Sequence, residues 1–293
     1  MKPAPFDYAA PATVDEAAGL LAEHGDEAKV LAGGQSLVPV LALRLARPSV
    51  LIDVNRVDGL AGVRRDNGTM RVGALTRHAA VERDPGLARA VPLLTRAAPL
   101  IGHFQIRNRG TVGGSLAHAD PAAEWPAVAL ALDAELEVRS GGGTRVIGAG
   151  DFFVSTFMTA LEPDDLLVAA RFPVWGPGSG FAVEELARRS GDFAIAGVVC
   201  GVQVAGVRVT RAAIALLGMG STPLRAGVAE RHLAGASPDD LDLDELGRLA
   251  VADLEPPGDI HASSGYRRRV GAALVSRALA RALDEAQRKG RRG

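Results

Sequence analysis

Two glycine pairs constrain this chain more than any other feature. Residues 111–126 place Gly113 and Gly114 among Thr111, Ser115, His118, Asp120 and Glu124, in a segment with little capacity for a core face. Adjacent glycines let a backbone approach a ligand closely and expose consecutive N–H groups, which is the physics of an anion cradle. A second run of the same kind, Ala32-Gly33-Gly34-Gln35-Ser36, lies between two apolar segments at 29–31 and 37–41. Two such loops predict a ligand with more than one anionic group, held from two sides. Neither loop is a G-x-G-x-x-G fingerprint opening a helix after a strand, and neither carries the Lys-Ser or Lys-Thr of a P-loop.

The pattern around the loops predicts an α+β fold. Thr13 and Glu16 form a capping box, and Gly25 stops the helix that follows. A strand at 30–31, the first glycine loop, a helix over 37–45 and a strand over 50–54 then make a small α/β unit. Asn67-Gly68 predicts a hairpin turn. Helices are expected over 76–84, 86–97 and 122–132, with a hairpin at 135–139 and 144–147 and a strand over 166–172. Residues 173–180, rich in Pro and Gly, read as a linker. Beyond it come two strands, 195–204 and 207–217, and helices over 227–234, 241–252 and 265–288. The expected domains are therefore 1–175, in two parts of about 1–57 and 58–175, and 176–293, an antiparallel sheet with helices. The arginine-dense stretch after Gly265 reads as a solvated helix face ending in a frayed tail.

Composition narrows the function. A formal net charge of −1 over 293 residues gives no electrostatic case for nucleic acid. Arg47, Arg56 and Arg77 interrupt the apolar stretches before any reaches a membrane span, and no signal-peptide pattern opens the chain, so a cytoplasmic protein is expected. The single Cys200 lies in an apolar β-rich run and reads as a small buried hydrophobe. One cysteine excludes an internal disulfide and an iron–sulfur cluster held by this chain alone. His118, Asp120 and Glu124 lack supporting ligands elsewhere, so no metal site is expected.

Leu31-Ala32-Gly33-Gly34-Gln35-Ser36-Leu37, followed by residues 105–115 (QIRNRGTVGGS), resembles the FAD-binding medium subunit of molybdenum hydroxylases. That group includes the aerobic carbon monoxide dehydrogenase medium subunit and the xanthine dehydrogenase flavin domain. The resemblance runs nearly the whole length and implies a flavin region of the vanillyl-alcohol-oxidase/PCMH type. It implies FAD in this chain, with a molybdenum cofactor and [2Fe-2S] clusters in a large and a small partner subunit, as a heterotrimer or a dimer of heterotrimers. Residues 32–36 are then expected to offer N–H groups to the pyrophosphate at the start of the following helix. Thr111, Gly114 and Ser115 would do so from the other side. Glu124 would accept from ribose or ribityl hydroxyls, and Asp120 stands either at the ligand or as a turn former. The resemblance further places His118 and Ala123 at the cofactor, Ile101 and Gly102 along the flavin, and Leu167 near its ring.

The chain departs from the carbon monoxide dehydrogenase pattern at four places. Gln35 stands for a histidine, Ser115 for an asparagine, and Phe193 for a tyrosine near the isoalloxazine, while Glu184-Glu185 stands where relatives place a lysine. These changes leave FAD binding intact and count against carbon monoxide as the substrate. The function implied is an electron-transfer subunit between iron–sulfur clusters and an external acceptor. A self-contained FAD oxidoreductase using NAD(P)H and a scaffold protein without cofactor are the two other classes. Intact glycines at both motifs argue against the scaffold.

Overall fold

The computed structural model describes residues 2–290; Met1 and the expected frayed tail past Gly290 lie outside the described residues. The chain opens on a three-stranded parallel sheet in the order Asp7–Ala9, Val50–Asp53, Ala28–Leu31. Helix Val14–His24 covers it, burying Ala17 and Leu21. Its start is the expected capping box, with Thr13 Oγ1 accepting from Glu16 N at 3.1 Å and Glu16 Oε2 accepting from Thr13 N at 3.2 Å.

A five-stranded antiparallel sheet follows, in the order Val63–Asp66, Thr69–Gly73, Leu166–Pro173, Glu135–Ser140, Gly143–Gly148. The turn at Asn67-Gly68 forms as predicted, with positive φ at both residues, 42° and 81°. Short helices cover this sheet and bury Leu93, Leu94 and Trp125 in one core with Phe172 of the sheet itself. The expected single helix over 86–97 is two, Pro85–Ala90 and Pro92–Ala97. Pro92 has no N–H to continue the ladder and restarts the helix at its first position. The helix after the first glycine loop is also shorter than expected, Leu37–Ala42, and Arg44 beyond it has a φ of 59°.

The third sheet is antiparallel: Ser179–Leu186, Ala196–Ala205, Arg208–Leu217, Leu224–Arg225. Helix Ser264–Gly290 lies on it at backbone contact, since a Cβ on Gly180 would overlap the Ala282 carbonyl and stand 2.6 Å from Ala286 N. Cys200 is fully buried in the central strand. The expected linker is shorter than its composition suggested, because Pro173 ends one strand and Ser179 begins the next. It is also packed. Trp175 is buried between the edge of Phe181, 5.3 Å away, and the Arg211 guanidinium, 4.0 Å above its ring.

Candidate cofactor site

The two glycine runs meet. Ala32 Cβ lies 3.7 Å from where a Gly114 Cβ would stand, and a Cβ on Gly33 would overlap the Arg109 carbonyl and approach Gly110 Cα to 2.7 Å. Gly33 is therefore required by close approach of two backbones. Of the two pairs only Gly34 needs a positive φ, 73°.

The runs differ in what they offer. Among the described residues, the N–H groups of Gly33, Gly34, Gln35 and Ser36 have no hydrogen-bond acceptor. Four consecutive free donors at a helix start are a cradle for an anion. The second run is corrected: it is a helix, Val112–His118, and its first N–H groups are already occupied. Val112 N donates to Thr76 O at 3.0 Å, Gly113 N to Ala74 O at 2.8 Å, and Gly114 N to Thr111 Oγ1 at 3.1 Å. Thr111 thus acts as an N-cap, and Gly114 has no N–H to spare for a pyrophosphate. Gly113 is fixed by packing, since its Cβ would stand 2.7 Å from Ala74 Cα. What this side retains for a ligand is the Ser115 hydroxyl and the end of the helix.

Polar residues outside either motif clasp the runs together. Asn55 Nδ2 donates to Ala32 O at 2.8 Å, and Arg77 donates to Asn55 Oδ1 at 2.7 Å and to Arg109 O. Asp53 orients Asn55 by accepting from its Nδ2 at 2.6 Å and is itself held by Tyr8 OH at 2.7 Å. Beneath the clasp, buried His78 accepts from Trp125 Nε1 at 2.9 Å through Nδ1. Burial, then Arg77 and Arg107, push its pKa down to about 4, so it stays neutral. Sequence reasoning missed Asn55, Arg77 and His78. Its only signal was Arg77, read there as a break in an apolar run.

The remaining expected residues fall as follows. Gly102 has a φ of 52° and packs against Gly191, whose Cβ would stand 2.6 Å from His103 Nδ1. This contact brings loop 187–195 beside Ile101 and Gly102. Phe193 on that loop is 66% exposed. Leu167 is buried in the core of the antiparallel sheet. Asp120 Oδ1 accepts from Ala122 N at 2.9 Å, the turn its Asp-Pro sequence favours. Ala123 precedes helix Glu124–Ala131, whose first residue, Glu124, is buried. Burial, reinforced by Glu185, raises the Glu124 pKa to about 8, and burial raises Glu185 to about 7. At neutral pH Glu124 is therefore a protonated acid, able to donate as well as accept. Among the described residues no group of three or more His, Cys, Asp or Glu could hold a metal ion.

Residues 4–175 match the FAD-binding domain of molybdopterin dehydrogenases, and residues 181–282 the C-terminal domain of the carbon monoxide dehydrogenase flavoprotein. The chain belongs to the molybdopterin dehydrogenase FAD-binding family. This family member is 45% identical to the 6-hydroxypseudooxynicotine dehydrogenase complex subunit alpha of Paenarthrobacter nicotinovorans, over 98% of this chain and 97% of that one. It is 39% identical to caffeine dehydrogenase subunit beta of Pseudomonas sp. (strain CBB1), over 97% of both. A solved carbon monoxide dehydrogenase chain from Hydrogenophaga pseudoflava superposes with a TM-score of 0.94 at 38% identity, covering 97% of this chain and 99% of that one. The α+β fold and the FAD reading both stand. The residues fit the cofactor through the free Gly33–Ser36 donors, a row that Gly33 seats against the Arg109–Gly110 backbone beside the second motif.

Proposed function

We propose that this FAD subunit is the electron-transfer member of a molybdenum hydroxylase. In this reading, electrons leave a molybdenum cofactor in a large subunit, cross [2Fe-2S] clusters in a small subunit, and pass from this chain to an external acceptor. The assembly is a heterotrimer or a dimer of heterotrimers in the cytoplasm; among the described residues no helix is long and apolar enough to cross a membrane. The observation that carries the proposal is the row of free N–H groups at Gly33–Ser36, set against the second motif by the Asn55–Arg77 clasp.

Bound there, FAD supplies a centre that exchanges electrons singly or in pairs. The protein supplies position and charge. Residues 32–36 hold the diphosphate, Ser115 and the helix behind it face it, and Glu124 offers a neutral carboxyl. Ile101, Gly102 and Phe193 lie where the redox ring is expected, and the exposed Phe104 and Phe193 flank that end as a surface for the small subunit. The domain division at about 57 and 175 belongs to the same proposal, with the cofactor shared between the first two parts.

The purified chain is expected to carry, or take up, one FAD without a covalent bond. Mixed with both partners it should show substrate-dependent bleaching of flavin absorbance, and omission of the small subunit should abolish it. Bleaching by substrate without partners would favour a self-contained oxidoreductase. A chain that gains no flavin absorbance after incubation with FAD would remove the proposal.

A further inference from the structure

A short hairpin, Phe153–Ser155 with Met158–Thr159, ends against the C-terminal end of helix Val112–His118. At its tip Phe157 has a φ of 57°, a conformation that favours glycine. Its N–H donates to Ala119 O at 3.2 Å, and Ala119, which ends the helix, is itself left-handed with a φ of 51°. Thr156 Oγ1 donates to Ser221 O at 3.3 Å and ties the tip to the C-terminal sheet. Two strained residues thus hold each other, and the side chain they present is a phenyl ring 58% exposed to solvent. That ring lies on the His118 imidazole, with centroids 4.9 Å apart and planes at 30°. A hairpin tip with no further task would take glycine or asparagine here. Strain of this kind, kept with an exposed aromatic, marks a ligand contact.

We infer that Phe157, backed by His118, is a stacking shelf for the adenine of FAD. The inference rests on the FAD reading of the site given above. The occupant follows from position. His118 ends the helix that Thr111 caps, and seven residues of helix span about 10 Å, room for a ribose between diphosphate and base. The other end of the site, at Ile101 and Gly102, abuts loop 187–195 and is where the redox ring is expected. His118 also feels the charge of Lys29, on the strand that leads into the first glycine run. The shelf therefore belongs to the nucleotide end.

The test uses the full chain stripped of cofactor and titrated with FAD or with FMN, which lacks the adenine, with flavin fluorescence as the readout. Phe157→Gly keeps the left-handed backbone and deletes the ring. Base–aromatic stacking lost in this way should weaken FAD binding roughly 10-fold or more and leave FMN binding unchanged. Phe157→Trp should restore FAD affinity. Phe157→Leu keeps apolar bulk without a π face and should behave as Phe157→Gly, which separates stacking from folding if the glycine variant melts early. Equal FAD affinity in wild type and the leucine variant would overturn the shelf. Equal losses for FAD and FMN would overturn its assignment to adenine. Failure of the wild type to bind either flavin would instead sink the FAD reading.

Discussion

The two glycine pairs are nearly alike on the page and opposite in the fold. Gly33-Gly34 is a true loop with free donors. Gly113-Gly114 is the first turn of a capped helix whose donors are consumed by Thr76, Ala74 and Thr111. The difference arises from the flanks. Thr111 precedes the second pair at N-cap spacing, and the strand that ends at Gly73 brings the Ala74 and Thr76 carbonyls to it, whereas nothing comparable reaches residues 33–36. Both pairs mark a close approach of backbone to backbone, Gly33 to Arg109–Gly110 and Gly113 to Ala74, and only the surroundings decide whether N–H donors are left over for a ligand.

The largest expected effect is at Gly33. Gly33→Val drives a branched side chain into Arg109 and Gly110 backbone, which cannot rotate away, so stability should fall by ~1–3 kcal/mol and FAD should be lost. Flavin content per chain and a thermal melt check both. Next comes Arg77→Ala, which leaves Asn55 Oδ1 and Arg109 O without their donor. Water reaches both acceptors, so each lost hydrogen bond costs about 0.5–1.5 kcal/mol, and FAD titration should show weaker binding that Arg77→Lys partly restores. An unchanged Kd for Arg77→Ala would mean that the two runs hold their spacing without the clasp.

Glu124 sharpens the second side through pH. Its folded pKa, about 8, is above the unfolded value of 4.5, so its contribution favours folding below the unfolded pKa and is lost as pH rises through the folded one. The wild-type melting temperature should therefore decline between pH 5 and pH 8 more steeply than that of Glu124→Gln, with Glu185 titrating as part of the same pair. Parallel slopes would show that Glu124 is ionised in the folded protein. The smallest effect is at Gly114. An alanine Cβ would stand 2.7 Å from Thr111 Oγ1 and disturb the cap, a loss of about 1 kcal/mol, with most FAD retained. If Gly114→Ala empties the site as thoroughly as Gly33→Val, the asymmetry between the two pairs is wrong.

Local chemistry was legible in the sequence and long-range pairing was not. The Thr13–Glu16 box, the Asn67-Gly68 turn and the buried strand around Cys200 depend on neighbours within a few residues, and all form as read. The break at Pro92 was equally local and was overlooked. The helix at 112–118 was missed because its glycines disguised a capped start. The clasp could not have been read at all, because Asn55, Arg77 and Arg109 meet across 22 and 32 residues of chain. Exposed Phe157 carries no local signal of a role, and only the fold sets it on His118.

Arg267 has a consequence for how this protein is made. From helix Ser264–Gly290 its buried guanidinium donates to Ile195 O and, at 3.1 Å, to Gly218 O, while Asp259 holds its other arm at 2.5 Å. Gly218 N in turn donates to Pro121 O at 2.8 Å, beside Asp120 in the second motif. The segment a ribosome delivers late thus braces the segment expected to meet the cofactor, although N-terminal parts fold first during synthesis. Flavin should load only after helix Ser264–Gly290 has docked, so chains stalled before Ser264 stay colourless.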